Sequence, residues 1–339
     1  MIWIVACATL VLSLLLPFVV KPLLVRLGIM DVPNDRSSHE RPVLRGLGLA
    51  VLIAMSCGYA LGLWLLPRDG GGAAGVLALA LVGGAALCSG LLGLGEDLKG
   101  VSVPVRSALL LAIALGVGLG LVWYGGAAWW LVVYAVLFVS GYINVANFMD
   151  GLNGISGFHG VIAGLTFAAA GVLISPAQPW LIVAGLVLAA GFAGFLPWNL
   201  SRPGAFLGDV GSYLLGGAIA ATSLFALMSG VPILATIGPM VIYFGDVGVT
   251  LAKRVRAGHK WDEPHKEHVY QRLQQMGLSH VSASGVTALF TLAASLLGLA
   301  SFFVEPIWWL ALLVAGLALV VFYVSLPKML GGGRPERGE

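Results

Sequence analysis

Apolar residues form long blocks along the chain, and polar residues gather in the short stretches between them. A helix needs about 20 apolar residues to cross the hydrocarbon core of a bilayer. Runs of this kind fall at 2–20, 46–66, 74–95, 106–123, 129–143, 158–175, 180–198, 210–228, 231–252, 282–303 and 307–326. They predict an all-α, polytopic bundle of eleven transmembrane helices. The run at 129–143 is short, and the one at 231–252 contains Asp246. The first run lacks the basic segment that precedes the apolar stretch of a signal peptide; Lys21 and Arg26 follow it instead, so it reads as a helix. The expected organisation is a single integral-membrane unit over 1–327 with a short tail, 328–339.

Composition agrees with this pattern. Hydrophobic residues make up 59% of the chain and charged residues 10%, far below the quarter usual in soluble domains, and mean hydropathy is +0.98. The 48 glycines suit closely packed membrane helices. Cys7, Cys57 and Cys88 lie in apolar runs without metal-ligand spacing and read as small core hydrophobes. No basic tract points to nucleic acid. Eleven spans sort the loops onto two sides, and 17 of the 18 Lys and Arg residues fall on one of them, with Arg68 opposite. The positive-inside rule makes the basic side cytoplasmic, with the N-terminus outside (periplasmic) and the C-terminus inside.

Twelve of the 15 acidic residues share that basic side. Carboxylates at a membrane edge are costly and point to function. Glu96 and Asp97, in GLGEDLKG, read either as a pair holding a divalent cation or a base near phosphate, or as a solvated helix end with Lys99 as partner. Asn144, Asn147, Asp150 and Asn153 recur every third position, so on a helix they would form one polar stripe suited to cation or nucleotide recognition. An EF-hand is excluded, because its closing Glu is missing. Asp209, in FLGDVGSY, is placed either to cap the next helix or to present a carboxylate to Mg²⁺. The segment 253–281 carries His265 and His268 among Lys260, Lys266 and Arg272. A zinc site would need further soft or imidazole ligands and the nearby carboxylates are hard, so the basic loop reads as anion-binding before zinc, with a plain basic anchor as the remaining reading. In DVPNDRSSHERPVLRG, Arg36, Ser38, His39 and Arg45 offer forked and hydroxyl donors to phosphate.

Taken in order, DVPNDRSSH, EDLKG, NVANFMDGLNG, FLPWN, FLGDVGS and EPHKEHVYQR make the chain resemble the polyprenyl-phosphate N-acetylhexosamine-1-phosphate transferases over almost its whole length. Phospho-MurNAc-pentapeptide transferase is a poorer match, since its three-histidine run is missing. The resemblance implies a bacterial inner-membrane enzyme with its site on the cytoplasmic face. Its substrates would be a UDP-sugar donor, UDP-GlcNAc or a related UDP-HexNAc, and undecaprenyl phosphate in the bilayer; UMP would be released. It implies Mg²⁺, with Mn²⁺ as a substitute, held by Asp209 and Asn147. Asp97, Glu96, Asp150, His265 and His268 would be catalytic. Asn144, Asn147, Asn153, Lys99, Arg36, Ser38, His39, Arg45, Asn199 and Arg272 would bind substrate. A homodimer is compatible with the resemblance. Two positions depart from the family pattern: Glu96 replaces the usual first Asp of the pair, and Asn153 replaces a frequent Asp.

Two other classes compete. A transporter would carry its polar residues near the midplane and in repeated halves, and only Asp246 answers that description. Asp246 reads mainly as structural. A catalytically dead scaffold of a glycan-assembly complex would require Glu96 to be disabling.

Overall fold

The structure is a computed structural model that describes residues 2–31, 43–201, 204–259 and 266–331. Among these, eleven helical segments are long and apolar enough to cross a membrane, matching the eleven apolar runs. In chain order the helices are α1 (Ile2–Leu15), α2 (Pro17–Arg26), α3 (Gly48–Leu65), α4 (Gly72–Lys99), α5 (Val103–Gly125), α6 (Leu131–Met149) and α7 (Ile155–Leu173). They continue with α8 (Pro179–Leu200), α9 (Gly208–Met228), α10 (Ile233–Ile237), α11 (Val241–Arg256), α12 (Val269–Gln275), α13 (His280–Ala300) and α14 (Trp309–Met329). α1 with α2 forms the first span, and α10 with α11 forms the ninth.

α9 is the central pillar; its most apolar stretch is 94% buried, and it packs on α4 and α6. A second layer comes from α7 on α8, and from α1 on α8 and α3. Small residues permit this closeness. A Cβ on Gly164 would lie 2.5 Å from the Gly185 carbonyl oxygen, so the α7 and α8 backbones touch. α14 is the opposite case, with 6% of its span buried.

Three elements differ from the sequence pattern. The fifth span runs on to Met149, because Asn144 and Asn147 continue the helix instead of starting a loop. The ninth span breaks at Gly238-Pro239, where a short 3₁₀ turn separates α10 from α11; proline removes a backbone donor there. The segment after α11 contains α12, a two-turn helix. The cysteines also differ from expectation: Cys7, Cys57 and Cys88 are free and exposed on the bundle surface, not in the core.

A two-stranded antiparallel pair, β1 (Met30–Asp31) with β2 (Val43–Leu44), accompanies the helices. From there the chain runs beside residues 205–207. Phe206 N donates to Leu44 O (2.8 Å), Leu47 N to Phe206 O (3.1 Å) and Gly48 N to Leu207 O (2.8 Å). This ladder places Arg45 at the start of α9. Exposed Trp3, Trp64, Trp123, Trp129, Trp130 and Trp308 all lie at the opposite end of the bundle, as an interfacial aromatic belt.

Candidate active site

The last turn of α4, the last turn of α6 and the first turn of α9 converge at one end of the bundle. Asp97, from α4, reaches the N-terminus of α9. Its Oδ1 accepts from Asp209 N (3.1 Å) and its Oδ2 from Val210 N (2.9 Å). Helix N-termini leave such donors unpaired and favour negative charge. Asp97 is therefore the cap of α9, supplied from another helix, and Asp209 does not cap its own helix. Gly208 makes this approach possible: its φ is +77°, and a Cβ there would lie 2.6 Å from Asp97 Oδ2.

Arg45 bridges the two acids. Its Nε lies 2.9 Å from Asp97 Oδ1 and its Nη2 2.6 Å from Asp209 Oδ2. Asn147 Nδ2 donates to Asp209 Oδ1 (2.8 Å) and to Ser212 Oγ (3.0 Å). The Asp97 side chain is 1% exposed, whereas that of Asp209 is 25% exposed and that of Arg45 39%. Asp209 is thus the carboxylate of the pair that a ligand can reach.

Glu96 and Asp97 do not share partners. Adjacent residues on a helix point about 100° apart, and Glu96 turns to the α4–α5 connection. There Oε2 accepts from Val101 N (2.8 Å) and Oε1 pairs with Arg106 (3.2 Å). The expected four-residue stripe is broken as well. Asn144 donates to Ser140 O one turn back (2.8 Å), and α6 ends at Met149, leaving Asp150 and Asn153 in the following turn.

Asp150 accepts from Ser156 Oγ at 2.7 Å. Loss of solvent pushes its carboxyl up to about 7, with Ser156 and Arg45 opposing the rise and Asp209 and Asp97 adding to it. Below the ordinary carboxylate value the acid is protonated in both folded and unfolded states. Between there and about 7 only the unfolded chain releases the proton, so stability falls as pH rises. Asp150→Asn removes that loss. Without divalent cation, the variant should melt near wild type at pH 4 and several degrees above it at pH 8, a gain of at most about 4 kcal/mol. Equal melting temperatures at pH 8 would contradict the buried carboxyl.

Asn153 and Asn199 are braces. Asn153 Nδ2 donates to Asn199 O (2.8 Å); Asn199 accepts from Gly154 N (2.5 Å) and donates to Ala205 O (2.9 Å). The buried Asn199 amide thereby joins the end of α8, the turn before α7 and the approach to α9. Lys99 is exposed. Arg272 sits on α12 within electrostatic reach of Lys253. Arg36, Ser38, His39 and His265 lie outside the described residues.

His268 belongs to a second cluster. Its Nδ1 is 2.9 Å from Oδ1 of the fully buried Asp246. Asp246 also accepts from Val269 N (3.1 Å), Tyr323 Oη (3.0 Å) and Thr250 Oγ1 (3.3 Å). One carboxylate thus fastens α11, α12 and α14 together, and Arg254 on α11 pairs with Glu267 beside it (2.6 Å). Stacked beside His268, Tyr270 donates to Phe148 O (3.1 Å), next to Asn147. This connects the two clusters. Ser156, Ser212, Arg106, Tyr270 and Tyr323 were not singled out by the sequence pattern. Ser212 carried a signal, three residues after Asp209 on one helix face; Tyr323, in a featureless apolar run, carried none.

Among the described residues no three His, Cys, Asp or Glu side chains converge closely enough to form a metal cage. The donors present do fit a hard ion that brings its own ligands. Asp209 offers a partly exposed carboxylate beside the Asn147 amide, and Asp97, Asp150 and Asp209 feel one another's charge with Arg45 as the cation acting on all three. Mg²⁺ characteristically uses one or two carboxylates and takes its other ligands from phosphate and water.

A model described as "Glycosyl transferase family 4" matches residues 77–227, from α4 to the end of α9. That span includes Glu96, Asp97, Asn147, Asp150 and Asp209. The chain is 26% identical to a "Probable undecaprenyl-phosphate N-acetylglucosaminyl 1-phosphate transferase" of Bacillus subtilis, over 92% of this chain and 87% of the relative. It is 28% identical to a "Decaprenyl-phosphate N-acetylglucosaminephosphotransferase" of Mycolicibacterium smegmatis, over 93% and 85%. A "Phospho-N-acetylmuramoyl-pentapeptide-transferase" of Synechococcus elongatus is 40% identical, but over 29% of this chain. With the model lying on the helices that build the site and relatives aligned over about nine-tenths of its length, the chain is similar to the proteins of glycosyl transferase family 4.

Proposed function

We propose that this protein transfers a HexNAc-1-phosphate from a UDP-sugar, UDP-GlcNAc or a related UDP-HexNAc, to undecaprenyl phosphate and releases UMP. The reading rests foremost on the joining of Asp97, Asp209, Asn147 and Arg45 at one end of the bundle, where a lipid phosphate can meet a soluble donor while its tail stays in the bilayer. The Lys and Arg asymmetry supports a cytoplasmic position for that end, in a bacterial inner membrane. The reaction would be the first membrane step in making a cell-surface polysaccharide, O-antigen or teichoic-acid linkage.

In the reaction, an oxygen of the lipid phosphate forms a bond to the β-phosphorus of the donor as the bond to the UMP oxygen breaks. Both partners are anions, so charge repulsion and alignment dominate the barrier. A phosphate monoester is largely dianionic at neutral pH, so the nucleophile needs no general base. Asp97, saturated with hydrogen bonds and buried, holds Arg45 and the start of α9 in place. Arg45 presents a half-exposed guanidinium to phosphate oxygens. Asp209 with Asn147 would hold Mg²⁺, which when bound supplies charge neutralisation on the diphosphate. Asp150, its charge suppressed near neutrality, limits the negative potential facing both substrates.

The test is reconstitution. Purified protein in nanodiscs, given Mg²⁺, undecaprenyl phosphate and a panel of labelled UDP-HexNAc donors, should form a lipid-linked sugar with matching UMP release. Failure with every donor would remove the transferase reading.

A further inference from the structure

Glu96 and Arg106 stand beside the Asp97–Asp209 group without belonging to it. Arg106 lies in the first turn of α5, with its side chain 35% exposed. One of its nitrogens, Nη1, meets Glu96 Oε1 at 3.2 Å, and it interacts with the buried Tyr213 hydroxyl. Tyr213 follows Asp209 by one turn of α9 and feels the charge of Asp209, Arg106 and Glu96 together. Arg106 therefore meets α9 one turn beyond the point where Arg45 meets it. Glu96 is fixed from both sides, since its other oxygen caps Val101 N at 2.8 Å. The extra methylene relative to Asp lets one carboxylate span the backbone of the α4–α5 turn and the guanidinium.

An arginine has five N–H donors in a rigid fork. Glu96 and Tyr213 engage part of that fork, and the side chain as a whole stays 35% exposed beside the site. The reaction brings together a diphosphate and a phosphate monoester, more negative charge than Arg45 alone can balance beside Asp97 and Asp209.

We infer that Arg106 binds a phosphate of one of the two substrates and that Glu96 is its positioning residue, neither a metal ligand nor a base. This rests on the transferase reading for the identity of the phosphates, which come either from the nucleotide donor or from the lipid acceptor.

The test uses Arg106→Gln, Arg106→Lys, Glu96→Gln and the Arg106→Gln/Glu96→Gln double variant of the full chain in nanodiscs. Arg106→Gln should raise KM at least tenfold for one substrate, with a smaller change in kcat and an unaltered Mg²⁺ concentration for half-activation. A rise for undecaprenyl phosphate assigns the lipid headgroup; a rise for the UDP-sugar assigns the donor. Arg106→Lys should recover part of the affinity, because charge is kept and the fork is lost. Glu96→Gln should give a partial rise for the same substrate and add nothing in the Arg106→Gln background. Unchanged KM for both substrates in Arg106→Gln overturns the inference. A tenfold shift in Mg²⁺ half-activation in Glu96→Gln overturns the role of Glu96. Binding is also read without turnover, as thermal stabilisation by UDP or undecaprenyl phosphate with undecaprenol as the phosphate-free control. Loss of stabilisation in Arg106→Gln supports the inference even if wild type makes no product. Intact stabilisation by both ligands sinks it even if wild type turns over.

Discussion

Asp209→Asn is expected to lower lipid-linked product formation by about 10²–10³-fold or more while leaving the fold intact. The substitution keeps the shape of the side chain and removes its charge. Asn147 can still donate to the remaining carbonyl oxygen, as it donates to Oδ1 of the acid. The Arg45 contact on Oδ2 is lost, while its contact with Asp97 remains. Because the carboxylate is a quarter exposed, no buried charge is orphaned, and thermal unfolding should shift little. UMP release in purified protein measures the effect. Wild-type turnover in the variant would take Asp209 out of the reaction.

Asp97→Asn should damage the protein in two ways. Both oxygens of this 1% exposed carboxylate accept backbone N–H groups from α9, and one also meets Arg45. An amide has one acceptor oxygen, so whichever way it turns, its NH₂ faces a donor at the start of α9. A buried mismatch of this kind costs about 2–4 kcal/mol. Melting temperature should fall by several degrees, and turnover should fall at least a hundredfold as Asp209 and Arg45 lose their alignment. The two readouts separate position from chemistry: an inactive variant with wild-type thermal stability would give Asp97 a direct part in the reaction. Asp97→Glu would not restore the fit, since Gly208 packs closely against the carboxylate.

Much of the bundle is legible in the sequence because bilayer thickness imposes a length on each apolar block, and all eleven appear as helices. What the blocks do not encode is depth. The run at 210–228 is less apolar than the run at 307–326, yet the first becomes the buried pillar and the last a peripheral helix. In a membrane both faces of a helix can be apolar, so periodicity carries little information about neighbours. The site was legible as a set of residues, with Asp97, Asn147, Asp209 and Arg45 all marked by charge or amide groups at span ends. Their division of labour was not. A pair of adjacent acids looks like a unit on paper, but helical geometry sends Glu96 to Arg106 and Asp97 to α9. The stripe from Asn144 to Asn153 assumed a continuing helix, and the turn after Met149 redirects its second half. Asn199 showed only as part of FLPWN, and its bracing of three backbone segments depends on contacts distant in sequence.

The tie between Tyr323 and Asp246 has a consequence for the last helix. α14 is exposed over most of its surface, and Tyr323 and Pro327 are its only residues buried among neighbours. Exposed Trp308 anchors the start of that span to one interface, and Lys328 lies near its other end. The vertical setting of such a helix follows the thickness of the surrounding lipid. Tyr323 is hydrogen-bonded to Asp246, and Asp246 in turn to His268. A change in lipid thickness would therefore be felt, through two hydrogen bonds, at a histidine in the segment between the ninth and tenth spans.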